Sequence, residues 1–383
     1  MENVTGAPFW RKLTPAAVSE RVDPWIEINS AALRHNAKVL SARMGAPILA
    51  VLKFNAYGLD QAVVAPCLDP VPCVWGFAVA KAGEAFAVRA SGSRKPILLM
   101  GDFVTHEAAE LAQQNIALCT YSTESGARFV ELAQRLGYPV RIHVKIDVGV
   151  GRLGIPYYEA EQWIAELMNT GSVDVAGIFC NLAETDVAKE HLQRFKTVVA
   201  NLRAKGFNLG IAHAAASYAI THVPDCAMEM IRPGLMLYGA LPDNPPPDFM
   251  DLQCVHRLRG RVVRVSALRK GDGVGYSQSF IAQEPTWTAS VMCGWSDGYN
   301  YKANAGCPVL INGNLYPMIA RSGNLTVVDL GPTTIVREGD IATLVGPEAG
   351  ITPNELAAKS EGAGAGGYGQ IRYSALLPKF LTD

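Results

Sequence analysis

No stretch of this 383-residue chain approaches the ~20 consecutive apolar residues that a membrane-spanning helix needs. The opening segment, MENVTGAPFWRKLTPAAVSERVDPW, lacks the basic start and apolar core of a secretory signal, so a cytoplasmic location without a membrane partner is expected. An excess of one charge is missing too. Thirty-four basic side chains face thirty-five acidic ones, with no long run of either sign. That balance excludes the electrostatic footprint of a nucleic-acid binder and leaves a small molecule as the natural partner. The eight cysteines form no C-x-x-C pair, which argues against a zinc site or a disulfide frame and for reduced, mostly buried thiols. No glycine fingerprint sits between a strand and a helix, so a nucleotide fold is not indicated. The late run EGAGAGGYG lacks the preceding strand and the Lys-Ser/Thr ending of a phosphate loop, and reads as a flexible linker.

What the chain does have is length and apolar content. At 49% apolar it can bury a sizeable core, and it exceeds the roughly 100–200 residues expected of one domain, so a large domain with a smaller one is the starting expectation. From about residue 24 to 240, short β-rich runs alternate with amphipathic helical stretches. WIEIN, PILAVLK, VWGFAVA, PILLMG, ALCTY, VRIHVKID, VAGIFC and GIAHAA are the candidate strands, followed by MIRPGLMLYG. About eight strand–helix units predict an α/β architecture, a TIM-like (β/α)8 barrel. The prolines of LPDNPPPDF break the rhythm and place a boundary between residues 1–240 and 241–383. Beyond it, RVVRVSAL, TASVMCGW, CPVLING, NLYPMIAR, LTVVDL and IATLV are short strands with no long helix between them, which predicts a mainly antiparallel β domain.

Lys53 ends the apolar strand PILAVLK and precedes an Asn-containing turn closed by glycine. In a barrel that strand end belongs to the catalytic face, where a desolvated amine has a lowered pKa and is ready for Schiff-base chemistry. Taken alone, the same lysine also fits a strand-end side chain whose stem is buried and whose amine reaches water.

The surrounding sequence decides between these readings. AVLKFNAYG, WIEINSAALRHN, GFAVAKAGEAFAVRASG, KIDVGVGRLGI, MIRPGLMLYG and GDGVGYSQSF follow one another in the order and spacing of the alanine racemase family of fold-type III pyridoxal 5'-phosphate (PLP) enzymes, which the chain resembles from about residue 24 to 345. The resemblance implies that Lys53 bears PLP and that Tyr57 contacts its phosphate. It sets Arg232 against the pyridine nitrogen, and Ser217, Gly234 and Leu235 around the phosphate. An arginine keeps its proton, so the ring stays a weaker electron sink, which suits clean return of a proton over transamination. Inversion at Cα needs an acid–base group on each face. The resemblance makes Lys53 one of them and Tyr276, brought from a partner subunit, the other, which implies a homodimer with shared sites. A phenol ionises near pH ~10 in water, so it needs a nearby cation to act near neutrality. Arg152 matches the arginine that steadies this tyrosine and holds the substrate carboxylate. Lys145 matches a lysine that some members carbamylate, with an unmodified strand lysine as the other reading.

Four departures lie around the substrate and the proton relay. Asn181 stands where the family has a histidine, and an amide cannot carry a proton at physiological pH. The C-M-D loop becomes RSGN, with Gly323 and Asn324 nearest the expected substrate contact. The entrance motif has Trp295 for tyrosine and Tyr301 for arginine. In the tail segment YSALLPKFLTD no tyrosine aligns with the one that limits substrate size, although Tyr373 is nearby. These residues lead to the expectation of a PLP-dependent racemase acting on an amino acid larger or more polar than alanine. A PLP lyase, aldolase or decarboxylase, and a PLP-binding protein without turnover, remain as alternatives.

Overall fold

The computed structural model describes residues 23–242, 245–246, 249–299, 306–359 and 373–382. The opening segment, the glycine run and Tyr301 lie outside these residues, and the proline-rich stretch lies only partly within them.

Strand β1 (Trp25–Asn29) departs from the expected rhythm: it is not a barrel strand. It pairs antiparallel with the first long strand of the second half and parallel with the tail. Its sequence carries the reason. Glu27 sits mid-strand and meets Arg259 across the pair at 3.1 Å, an arrangement that a barrel strand buried on both faces does not accommodate. Asn29 then caps the helix Ser30–Met44 by accepting from the Ala32 N–H at 2.7 Å.

Seven parallel strands follow in spatial order: β2 (Ile48–Val51), β3 (Val74–Val79), β4 (Ile97–Leu99), β5 (Ile116–Thr120), β6 (Val140–Asp147), β7 (Val173–Cys180) and β8 (Ile211–His213). The eighth place is filled by the start of MIRPGL. Ile231 bridges Ile48, its carbonyl accepts from Leu49 N–H at 2.9 Å, and the Pro233 carbonyl accepts from Val51 N–H at 3.1 Å. Pro233 has no N–H to offer a ladder, so the closing segment is not a regular strand, yet it completes the ring.

Side-chain alternation sorts the barrel's residues. Ile48, Ala50 and Leu52 join the core beneath the helices, whereas Leu49 and Val51 pack with Ala78, Leu98, Ala117, Cys119, Phe179 and Met230 along the barrel axis. With a period of two, Lys53 continues the inward row of β2, as Arg232 continues that of Met230 and Asn181 that of Phe179. Ile142, Val144 and Ile146 face the helices, so His143, Lys145 and Asp147 face inward. Parity therefore aims the candidate side chains at one axial space before any contact is considered.

The second half is a curled sheet. Strands β9 (His256–Leu268), β10 (Thr286–Met292), β11 (Pro308–Ile311), β12 (Asn314–Arg321), β13 (Leu325–Gly331), β14 (Ile341–Val345) and β15 (Lys379–Thr382) run in the order β10-β13-β12-β11-β14-β9-β1-β15, and β9 also pairs with β10. Every pairing is antiparallel except that of β1 with β15. Among the described residues no helix is long and apolar enough to cross a membrane.

Candidate active site

Beyond Leu52 the chain turns with the wrong hand. Phe54, Asn55, Ala56 and Tyr57 all have φ between 52° and 57°, the left-handed region, and Gly58 closes the turn at φ 88°. Left-handed backbone costs roughly 1–2 kcal/mol per non-glycine residue, so the turn must be held from outside. Buried Glu84 does part of this, its carboxylate accepting from Asn55 N–H at 3.2 Å, Ala80 N–H at 2.9 Å and Lys81 N–H at 3.2 Å. Tyr373 packs against Gly58, where a Cβ would lie 3.0 Å from the Tyr373 nitrogen, and its hydroxyl pairs with His256 Nε2 at 2.8 Å. The result places the half-buried Lys53 amine at the barrel mouth. Burial, with the neighbouring Arg152, lowers its pKa; Glu84 and Glu184 oppose the shift. More of the amine is thus unprotonated near neutrality than in water.

Arg232 lies at the centre of the barrel floor, 3% exposed. One terminal nitrogen donates to His213 Nδ1 at 2.9 Å and to the His213 carbonyl at 2.8 Å; the other donates to the Cys180 carbonyl at 2.7 Å. Burial brings its pKa down to about 10, so it keeps its proton at neutral pH. Donation into Nδ1 leaves the His213 proton on Nε2, which faces His143 Nδ1 at 3.0 Å. Both rings are fully desolvated. Burial, with the cations nearby, takes His143 down to about 3 and His213 well below its ordinary value, so the pair is neutral. Lys145 is also buried, its ammonium 5.6 Å from the Phe179 ring centroid, and burial lowers its pKa while Arg152 and Arg232 add to the shift.

Asn181 joins this floor to Arg152. With its carbonyl oxygen toward Arg152 Nη2 at 2.9 Å, its amide nitrogen donates to the Cys180 carbonyl at 3.3 Å. The same nitrogen end lies 3.3 Å from Arg232 Nη2. A carboxamide has one accepting end, so Asn181 serves one guanidinium and abuts the other.

On the opposite side, Gly234 N–H points at the Ser217 hydroxyl, 3.3 Å away, at the start of the helix Ser217–His222, and Leu235 opens a short 3-10 turn. The Tyr57 hydroxyl fills the space where a Gly234 side chain would be: a Cβ built there would lie 2.2 Å from it. Two hydroxyls and adjacent backbone N–H groups around a glycine form a pocket suited to phosphate. With an amine and a buried guanidinium on the same barrel face, these residues fit PLP.

Other expected site residues lie elsewhere. Tyr276, on a β-domain turn, is 101% exposed and takes no part in its own chain's cluster. Gly323 accepts from Ser296 N–H at 2.8 Å, and a Cβ at Gly323 would lie 3.6 Å from the ring of Trp295, which is itself 55% exposed; Asn324 is exposed at the same loop tip. Glu84, His143 and His213 were not singled out from the sequence. The available signals were the strict alternation of VRIHVKID, which puts His143 on the face of Lys145, the histidine ending Ile211–His213, and a carboxylate in the first turn of the helix Ala82–Ala90.

Residues 28–242 match the family model described as the N-terminal domain of alanine racemase, and residues 255–366 match that of its C-terminal domain. The alanine racemase of Mannheimia succiniciproducens is 34% identical over 331 residues, covering 85% of this chain and 91% of that protein. That of Syntrophobacter fumaroxidans is 32% identical over 344 residues, with 87% and 91% covered. The solved structure of the biosynthetic alanine racemase from Pseudomonas aeruginosa superposes with a TM-score of 0.83 at 28% identity, covering 95% of this chain and all of that one. With both halves matched in order over a site that fits PLP, the chain belongs to the alanine racemase family, whose cofactor is PLP.

Proposed function

We propose that the chain racemises an amino acid by a two-base mechanism in which Lys53 serves one face of Cα and Tyr276 of a second subunit the other, on a substrate larger or more polar than alanine. The observation that carries this reading is the contrast in exposure of the two groups: Lys53 half-buried at the barrel mouth, Tyr276 fully exposed on the β domain and so available to another copy.

Lys53 would hold PLP, with Tyr57, Ser217, Gly234 and Leu235 around the phosphate. When bound, the cofactor supplies delocalisation of charge from Cα. Both terminal nitrogens of Arg232 are committed to protein acceptors, which leaves its Nε–H for a ring nitrogen. A guanidinium there donates without giving up its proton and limits how much charge the ring withdraws, so a proton returned to Cα is favoured over loss of the amino group. Arg152 would take the substrate carboxylate in its planar fork. Asn181 orients that fork but cannot relay a proton, so Tyr276 depends on the field of the neighbouring cations alone. Gly323 and Asn324, in place of a methionine-bearing loop, leave room for a longer side chain, and Trp295 rebuilds the entrance.

Incubation with single L-amino acids in deuterium oxide, read by chiral chromatography and mass spectrometry, tests this reading. The expected result is a D-isomer carrying deuterium, with a Tyr276→Phe variant slowed about 100-fold or more in racemisation while cofactor binding is retained. Exchange at Cα without any D-isomer would refute the two-base mechanism.

A further inference from the structure

Arg152 is exposed, so packing of its own side chain does not fix its reach into the site. Asn181 orients its tip, accepting from Nη2 at 2.9 Å, and the backbone that carries it sets where the side chain starts. At Asp147 the chain leaves β6 and makes a short excursion. It returns where Ile155 pairs with Ile146 and Tyr157 N–H donates to the Asp147 carbonyl at 2.9 Å, so the base of the loop is zipped.

Inside the loop, one carboxylate gathers three consecutive backbone donors. Asp147 Oδ1 accepts from Gly149 at 3.0 Å and Val150 at 2.8 Å, and Oδ2 accepts from Gly151 at 3.0 Å. Burial works to raise the Asp147 pKa, but these N–H groups outweigh it and hold the group below the ordinary carboxylate range, so the tether stays charged.

The outer side of the loop is fixed from the helix Ala188–Ala204. Arg194 Nη1 donates to the Val148 carbonyl at 2.8 Å, while its guanidinium lies 4.6 Å from the Tyr157 ring centroid. His191, 5% exposed, packs beneath Gly149, where a Cβ would lie 2.6 Å from its Nε2 and 3.0 Å from Arg194 Nη1. Gly149 also has φ +128°, so only glycine passes through this gap. The last tethered N–H is that of Gly151, and the next residue is Arg152.

We propose that Asp147, braced by Arg194, is the positioning residue for Arg152 and sets where its guanidinium meets a substrate carboxylate. This rests on the reading of Arg152 as the carboxylate-binding arginine. The cradle acts on substrate binding and makes no contact with Arg232, whose partners are His213, Cys180 and Ala214.

The PLP-loaded enzyme is assayed for KM and kcat with whichever L-amino acid it racemises fastest and titrated with acetate, a bare carboxylate probe, by calorimetry. Arg152→Ala should raise the acetate Kd about tenfold or more, the loss of a charge-assisted contact. Asp147→Ala should raise acetate Kd and KM at least about fivefold, with the visible absorbance of bound PLP unchanged; kcat falls as well, because the displaced Arg152 no longer steadies Tyr276. Asp147→Asn, which retains one accepting oxygen, should fall between Asp147→Ala and wild type. The double variant should be no worse than Arg152→Ala, because both changes remove the same interaction. Arg194→Met, on the outer helix, should shift acetate Kd in the same direction and serves if Asp147→Ala does not accumulate. Unchanged acetate Kd in Asp147→Ala or in Arg194→Met, or a double variant equal to the product of the single effects, overturns the inference while Arg152→Ala still weakens binding. An Arg152→Ala enzyme with wild-type acetate Kd overturns the reading of Arg152 and the inference with it.

Discussion

Replacing Gly234 with alanine tests the proposed phosphate pocket at its tightest point. The new methyl would lie 2.2 Å from the Tyr57 hydroxyl oxygen and 3.1 Å from the ring carbon that bears it. Non-bonded heavy atoms settle at about 3.5 Å, so the phenol must retreat by about 1 Å. It has little room to do so, because the fully buried Tyr238 ring stands behind it at a centroid distance of 5.0 Å. On the proposed assignment, a hydroxyl displaced by that much would lose its contact with the phosphate. Loss of a hydrogen bond to a charged group is worth about 1.5–3 kcal/mol, or about 10- to 150-fold in PLP Kd. The clash adds an overpacking cost of about 1–3 kcal/mol to the stability of the apoenzyme. Titrating apoenzyme with PLP by protein fluorescence measures the first effect, and thermal melting of the apoenzyme measures the second. Tyr57→Phe separates them, since it removes the hydroxyl without a clash and should weaken PLP binding by a similar factor at little cost to apo stability. A Gly234→Ala enzyme that binds PLP like wild type would sink the assignment of this pocket, as would a Tyr57→Phe enzyme of undiminished affinity.

Asn181→His places a titratable ring between two guanidiniums. The pH profile of kcat/KM should gain an ionisation at or below the ordinary histidine value of ~6.5, pushed down by both cations, and superimposable profiles for variant and wild type would count against the geometry. The buried histidines set an acid limit to stability. His143 is held down to about 3 in the folded protein against an ordinary 6.5, so its neutral form is fully compatible with folding above pH 6.5. As pH falls from 6.5 toward 3, the unfolded chain takes up the proton first. Stability should therefore drop by about 1.4 kcal/mol per pH unit for this group alone. His143→Gln should flatten the fall of the urea midpoint between pH 6 and 4, and parallel curves would refute the assignment.

Much of the barrel was legible because parallel strands buried on both faces read as unbroken apolar runs, as β2 and β5 do. Lys53 stood out because it interrupts such a run. β1 was misplaced because a five-residue strand states its periodicity but not which sheet it joins. Its mid-strand Glu27 was the clue, and only the position of Arg259 on β9 makes sense of it. The closing segment at residues 231–233 was seen as a motif and not as a strand, because Pro233 hides its place in the ring. His143 and His213 escaped notice because their partners are remote in sequence, and Glu84, which caps the start of its own helix at Ala80 and Lys81, because nothing local shows that it also holds Asn55. A histidine in a strand gives no sign that an arginine 19 residues downstream will meet it, as Arg232 meets His213. The left-handed turn after Lys53 is likewise invisible locally, since Phe54, Asn55, Ala56 and Tyr57 have no shared preference for it and are held by Glu84 and Tyr373 from outside.

The place of β1 also sets an order of events during synthesis. The barrel strands pair with near neighbours in the chain, so the barrel can assemble as it emerges from the ribosome. β1 is made before all of them, yet its two partners, β9 and β15, come after the barrel is complete, and β15 comes after every other strand of its sheet. Until β15 arrives, one edge of β1 keeps its N–H and C=O groups exposed to any other extended chain. The nascent protein thus carries an open seam for most of its synthesis. A break in translation after the barrel closes at residue 233 and before residue 379 would leave a folded barrel with a sticky edge, which pairing of β15 with β1 covers.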